Sequence, residues 1–178
     1  MRITLVGSRH FGVTTFNTLR QHGVDNVRVV VLDGEDRLAA TARAAAIEVV
    51  VQADPKFVTA PEIAPNTDLI VTAHSHARVT REALAAAKLG GIGYHPSLLP
   101  RHRGIAAVEW TIKEGDPIAG GTIYHLADRM DAGAIAAVQI SSGGAHTCVR
   151  MSDRTVRCWG RNEAGQLGDG TTTPRLVA

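Results

Sequence analysis

An α/β fold with a twisted, mostly parallel sheet is what this sequence predicts, on two observations. Short apolar runs with little polar alternation recur along residues 1–140, and helix-patterned segments separate them. Strands that are apolar on both sides are buried on both sides, and crossover helices supply that cover. At 178 residues the chain is long enough for one medium domain with a small appendage.

The elements follow in order. Ile3-Thr4-Leu5-Val6 is a short strand that stops at Gly7. Thr14 to Gln21 has helical spacing, with Gly23 as its stop signal. Val27 to Leu32 is rich in valine, apolar on both faces apart from Arg28. Glu35 to Ala46, rich in alanine and arginine, is helical, and Ile47 to Val51 is a third strand. A loop punctuated by Pro55, Pro61 and Pro65 leads to a fourth strand, Asp68 to Ala73. Thr80 caps a helix running towards Lys88. Gly91-Ile92-Gly93-Tyr94 is a fifth strand, a helix near Ile105–Glu114 follows, and strands near Gly121–Leu126 and Ala134–Ile140 close the series. In such sheets ligands bind beyond the carboxyl ends of the strands, so the loops after Val6, Ala73 and Tyr94 are the ones to inspect.

Composition narrows the classes. With 44% hydrophobic residues the chain is not a disordered polymer. No apolar run approaches the ~20 residues of a membrane span. The N-terminal apolar run is too short for a signal peptide, so the cytoplasm is the expected compartment. Residues 1–138 hold 14 Lys/Arg against 14 Asp/Glu, whereas 139–178 hold 5 against 3. The larger part therefore lacks the basic footprint of a nucleic-acid binder, and nucleic acid is not expected as a partner.

The first loop, Gly7-Ser8-Arg9-His10-Phe11-Gly12-Val13-Thr14, comes near a phosphate-binding loop, but Val13 stands where that motif needs lysine. It reads as a tight strand-to-helix turn, with an anion-binding helix N-terminus as the alternative. In the loop after the fifth strand, His95 precedes Pro96, which confines its backbone to the extended region. Leu98 and Leu99, between Pro96 and Pro100, put an apolar wall beside a titratable ring. No His-Glu-x-x-His or cysteine-rich metal spacing appears, so no metal is expected. His10, His22 and His125 read as surface or packing residues, and Trp110 as core.

The stretch His95-Pro96-Ser97-Leu98-Leu99-Pro100, followed by Arg101-His102-Arg103-Gly104, closely resembles the folate-dependent formyltransferase family, whose members formylate glycinamide ribonucleotide, methionyl-tRNA or amino sugars. Gly121-Thr122-Ile123-Tyr124 and Met130-Asp131-Ala132-Gly133-Ala134-Ile135 resemble a second segment of that family. The resemblance spans about residues 1–140. It implies a Rossmann-like sheet of the formyltransferase type, with 10-formyltetrahydrofolate as formyl donor, His95 and Asp131 as catalytic residues, and no metal. It places Ser97, Leu98, Leu99, Pro100, His76, Arg78, Leu126, Ala127, Asp128 and Met130 around the folate. Gly7, Phe11, Gly12, Gly93, Arg103 and Gly104 fall to the acceptor side. The family's asparagine, two residues before the histidine, is replaced by Gly93. Loss of one oxyanion donor costs ~10²–10³ in rate, and His74, Ser75, His76 and Arg78 are candidate substitutes. Tyr94 is a poor one, because adjacent strand residues face opposite sides.

Residues 141–178 resemble one blade repeat of the regulator-of-chromosome-condensation type of β-propeller, through Gly143 to Thr147, Val156 to Gly160 and Gly165-Gln166-Leu167-Gly168. The expected segments are thus 1–140, the catalytic domain, and 141–178, a propeller-type hairpin that a single copy leaves without neighbours to bury its faces. The Asp153-Arg154 turn lacks the repeat's glycine, which tolerates a positive φ. Cys148 and Cys158 face each other across the hairpin and could pair outside the cytoplasm; in the cytoplasm free thiols are expected.

The leading reading is formyl transfer to the amine of a small acceptor, an amino sugar or glycinamide ribonucleotide. Hydrolysis of the same folate, or a catalytically impaired binding domain, are the alternatives that Gly93 opens. Self-association into a homo-oligomer is expected if a sheet face lies uncovered.

Overall fold

The computed structural model describes residues 1–117, 119–127, 133–151 and 153–175. Compactness divides the chain into two units, Met1–Tyr94 with His125–Ala134, and His95–Tyr124 with Ile135–Ala178.

The first unit carries β1 (Arg2–Gly7), α1 (Arg9–Gln21), β2 (Asp25–Val31), α2 (Arg37–Ala44), β3 (Glu48–Val51), β4 (Phe57–Val58), β5 (Leu69–Ala73), β6 (Arg78–Val79), α3 (Arg81–Ala85) and β7, which runs Gly91–His95 and ends on the first residue of the second unit. Its sheet has the order β3-β2-β1-β5-β7, and every pairing is parallel. The period of two sorts side chains to two faces. Ile3 and Leu5 of β1 and Val29 and Val31 of β2 join Phe16 of α1 and Leu38, Ala39 and Ala42 of α2 in one core. Val6, Val30 and Ile70 join Val58, Val79 and Ala83 in the other. Arg28, the polar exception in β2, pairs with Glu48 of β3 at 2.9 and 3.0 Å.

Two boundaries differ from the sequence expectation. α1 starts at Arg9, so Phe11 and Gly12 lie in its first turns and the expected loop through Thr14 is helical. The missing start signal lies elsewhere in the chain: no acid occupies the first turn and Ser8 makes no side-chain cap. The Asp36 carboxylate accepts the Arg9 N–H instead, both oxygens at 3.0 Å, and also caps α2 through Leu38 N at 2.8 Å. The proline-punctuated loop holds β4, paired with β6, and a 3-10 turn at Ala60–Glu62. Thr80 caps α3 as expected, accepting from Ala83 N at 3.2 Å.

The second unit carries α4 (Ala107–Lys113), β8 (Thr122–His125, its last residue in the first unit), β9 (Ile135–Gly143), β10 (His146–Met151) and β11 (Val156–Gly160). Strands β8 to β11 pair antiparallel in sequence order. β9 crosses position 140, the expected segment boundary, without a break. Cys148 and Cys158 are directly opposite in β10 and β11, as the hairpin reading expected, and are joined in a disulfide, one of the two states the sequence left open. Facing positions of an antiparallel pair bring the sulfurs within bonding reach. Arg154 takes the left-handed φ of 71° that the Asp153 turn demands. Past β11 the chain is pinned by Asn162, fully buried, which donates to the Thr171 carbonyl at 2.9 Å and accepts from Leu167 N at 2.9 Å. Trp110, expected in the core, is 45% exposed. α4 mixes Val108, Trp110 and Ile112 with Glu109, Thr111 and Lys113 and buries only Ala107, so its apolar residues mark no single facing side. Lys113 Nζ lies 4.4 Å over the indole.

Among the described residues no helix is long and apolar enough to cross a membrane.

Candidate active site

In the second unit the chemistry gathers on the loop that leaves β7. His95 is 6% exposed, and its Nε2 lies 2.7 Å from the carbonyl oxygen of His102. A carbonyl only accepts, so Nε2 carries the proton. Pro96 follows, and the chain then turns back so that the Ser97 hydroxyl, buried, donates to the Arg101 carbonyl at 2.6 Å. Thr122 of β8 completes the latch. Its hydroxyl, fully buried, donates to the Ser97 carbonyl at 2.7 Å and accepts from Leu99 N at 3.0 Å. Leu99 is buried behind this latch and the Leu99–Pro100 peptide is cis. Leu98 is half-buried against Gly120, where a Cβ would come within 2.8 Å of its methyl carbon and displace it. Arg103 is exposed, and Gly104 has a φ of 85°.

A charged cluster braces the same loop. His102 Nε2 lies 2.7 Å from Asp116 Oδ2, with both side chains under a tenth exposed. The Arg101 guanidinium bonds both Asp116 and Glu114. Arg101 first, then His102, hold the Asp116 carboxyl below the usual carboxylate range. Ligand atoms of His102, Glu114 and Asp116 come within 4.8 Å of one another, a spacing that admits a cation, but Arg101 already supplies the positive charge among them. The adjacent cavity, bounded by Leu98, Arg101, His102, Asp116 and Gly120, measures about 160 Å³. That is below the ~300 Å³ at which small-molecule pockets begin.

In the first unit, Gly7 ends β1 against β5: its Cβ would fall 2.3 Å from the Ala73 carbonyl oxygen, so only glycine fits. Phe11 meets Tyr94 with ring centroids 5.2 Å apart, and Gly12 abuts Leu38 of α2. The first N–H of α1, the candidate anion site, is taken by Asp36. His74, at φ 57°, stands beside His76 with centroids 5.4 Å apart. Burial, then the neighbouring His76 and Arg9, push the His74 imidazole below its ordinary value. Arg78 turns instead towards Phe57, 4.9 Å from the ring centre, on a cavity of about 520 Å³ shared with Thr59 and Arg81. Leu126 N bonds the Gly91 carbonyl at 2.8 Å, and Ala127 follows it half-buried. Gly93 pairs with Thr72 of β5 and shares the buried side of β7 with His95, while Tyr94 faces the other way, as strand alternation predicts.

The structure thus joins His95, Ser97, Leu98, Leu99 and Pro100 in one latched loop, and Gly7, Phe11 and Gly12 at the head of α1. Asp128, Met130 and Asp131 lie outside the described residues. Sequence reading missed Thr122, Asp116 and Asp36. A buried hydroxyl within an apolar strand was the available signal for Thr122; the two acids offered none, because their partners are distant in sequence.

The parallel α/β sheet, its fifth strand ending on a buried histidine, is a fold of the formyltransferase type. The Formyl transferase family matches residues 1–155, and the chain belongs to that family. It is 33% identical over 147 residues to the cytosolic 10-formyltetrahydrofolate dehydrogenase of Xenopus tropicalis, covering 76% of this chain and 16% of that protein. It is 42% identical over 94 residues to the methionyl-tRNA formyltransferase of Akkermansia muciniphila, covering 52% of this chain and 30% of that one. The chain therefore spans under a third of either relative. The fold matches the crystal structure of phosphoribosylglycinamide formyltransferase from Bacillus halodurans with a TM-score of 0.63 at 20% identity, covering 77% of each chain. It matches a formyltetrahydrofolate deformylase from Pseudomonas syringae with a TM-score of 0.61 at 21% identity, covering 76% of this chain and 49% of that one.

Proposed function

We propose that the chain moves a formyl group from 10-formyltetrahydrofolate to the amine of a small acceptor, with His95 and Asp131 as its catalytic pair. The observation that carries this reading is the buried His95 ring, its Nε2 aimed at the His102 carbonyl inside a loop latched by Ser97 and Thr122. Attack by the amine nitrogen on the formyl carbon creates an oxyanion and a positively charged nitrogen. A protonated imidazole stabilises the oxyanion, and Asp131 accepts the nitrogen's proton through water. Collapse breaks the bond from carbon to folate N10, which leaves protonated as tetrahydrofolate. Ser97, Leu98, Leu99 and Pro100 supply the folate's apolar and polar contacts, with His76, Arg78, Leu126, Ala127, Asp128 and Met130. Gly7, Phe11, Gly12, Gly93, Arg103 and Gly104 serve the acceptor.

The test is tetrahydrofolate release from the purified chain with a panel of amino sugars and glycinamide ribonucleotide. His95→Ala and Asp131→Ala are each expected to lower the rate by about 10²–10⁴-fold. Normal turnover in both variants ends the reading.

A second reading, hydrolysis with water as acceptor, draws support from Gly93, which offers no side-chain donor, and from relatives named for 10-formyltetrahydrofolate dehydrogenation and deformylation. Formate release in the absence of any amine would select it.

A further inference from the structure

A histidine ring takes part of its orientation from the acceptor that its N–H points to. For His95 that acceptor is the carbonyl of His102, 2.7 Å from Nε2. His102 has a φ of 52°, a left-handed conformation that a residue with a Cβ keeps only when its surroundings impose it. On the near side, the Ser97 hydroxyl donates to the Arg101 carbonyl at 2.6 Å and reaches the His102 carbonyl at 3.3 Å. On the far side, the His102 ring is 2.7 Å from Asp116 Oδ2. A carboxylate accepts, so His102 Nε2 carries its proton there, and Arg101 Nε, at 3.3 Å from the same nitrogen, cannot also donate to it. Asp116 is itself held by the Arg101 guanidinium, which reaches on to Glu114. The chain of contacts runs from Asp116 to the His102 side chain, through its backbone to the carbonyl, and from there to His95 Nε2.

We propose that Asp116 is a positioning residue for His95: through His102 it fixes the carbonyl that sets both the direction of the imidazole and the nitrogen that carries its proton. This rests on the reading of His95 as catalytic only for its kinetic consequence; the orientation itself does not require turnover.

Two measurements test this. The first is nitrogen NMR of histidine-labelled protein across pH, with His95 assigned by His95→Gln. Neutral wild-type His95 is expected as the Nε2–H tautomer, and an Nδ1–H tautomer overturns the proposal without any substitution. The second compares Asp116→Asn and Asp116→Glu with wild type. Asp116→Asn is expected to erode the tautomer preference of His95. It should lower kcat about 10- to 100-fold, the scale of a small misplacement, with the folate KM changed less than about twofold. Asp116→Glu restores part of both. A folded Asp116→Asn protein with an unaltered His95 tautomer and kcat overturns the proposal. If wild type shows no formyl transfer, yet Asp116→Asn alters the His95 tautomer, positioning stands and the catalytic reading falls.

Discussion

The parallel sheet of the first unit and the latched loop of the second are held by different physics. Between β1 and β5, side chains such as Ile3, Leu5, Phe16, Val29 and Ile70 are almost wholly removed from water, and burial of apolar area is the main stabilising contribution. Between His95 and Thr122, the buried groups that decide the shape are polar: Ser97, His102, Asp116 and Thr122 hold one another through short hydrogen bonds. An apolar core tolerates substitution in proportion to volume, whereas a polar latch fails when one partner goes and leaves the other buried and unpaired. The scaffold can therefore lose stability while His95 keeps its orientation, and the loop can lose orientation at little cost to the scaffold.

Substitutions can break or sharpen that contrast. The largest expected effect is Phe16→Ala, which empties a fully buried site between α1 and β1 and β2 and should cost about 3–5 kcal/mol in urea unfolding. The rate of the folded fraction should not move. Next comes Thr122→Val, which keeps the volume but strands the Leu99 N–H and the Ser97 carbonyl. A cost of about 1–3 kcal/mol is expected, and here the rate should change with it. Equal kinetic damage from both variants would erase the distinction between scaffold and latch.

Asp116 gives a pH-dependent version of the same test. Its carboxyl lies below the usual range because Arg101, then His102, bond the charged form. The native state therefore binds fewer protons than the unfolded chain near the ordinary carboxylate value of about 4. The stabilisation is complete above that value and is lost as pH falls through the lower native one. The gap in melting temperature between wild type and Asp116→Asn should be full at pH 7 and shrink below about pH 4. A gap independent of pH would show that the ion pair contributes nothing. The smallest effect is expected from Trp110→Ser on exposed α4, within about 0.5 kcal/mol.

What the sequence displayed and what it hid follow the same division. The valine runs of β2 and β3, the Thr80 cap and the shared side of Gly93 and His95 are local patterns with a period or a neighbour, and they were legible. The start of α1 was not, because its cap is Asp36, 27 residues downstream. β4 and β6, two residues each, are too short to show a period. Trp110 was not legible, because α4 leaves Val108, Trp110 and Ile112 exposed beside Glu109 and Lys113 and buries only Ala107. In the site, the His95 to Pro100 loop was legible as an ordered motif. Thr122 and Asp116, single polar residues 27 and 21 positions from His95, became visible only when the chain closed on itself.

The central claim is that the His95 loop forms part of a folate site, and thermal unfolding in the presence of 10-formyltetrahydrofolate tests it most directly. A ligand at 100 times its Kd adds about 2.7 kcal/mol to the native state. For a chain of this size that raises the melting temperature by roughly 5–10 °C. The expected result is such a rise for wild type, strongly reduced in Leu98→Asp, whose charge faces the proposed apolar wall. No rise in wild type at saturating folate, or an equal rise in Leu98→Asp, would contradict the account.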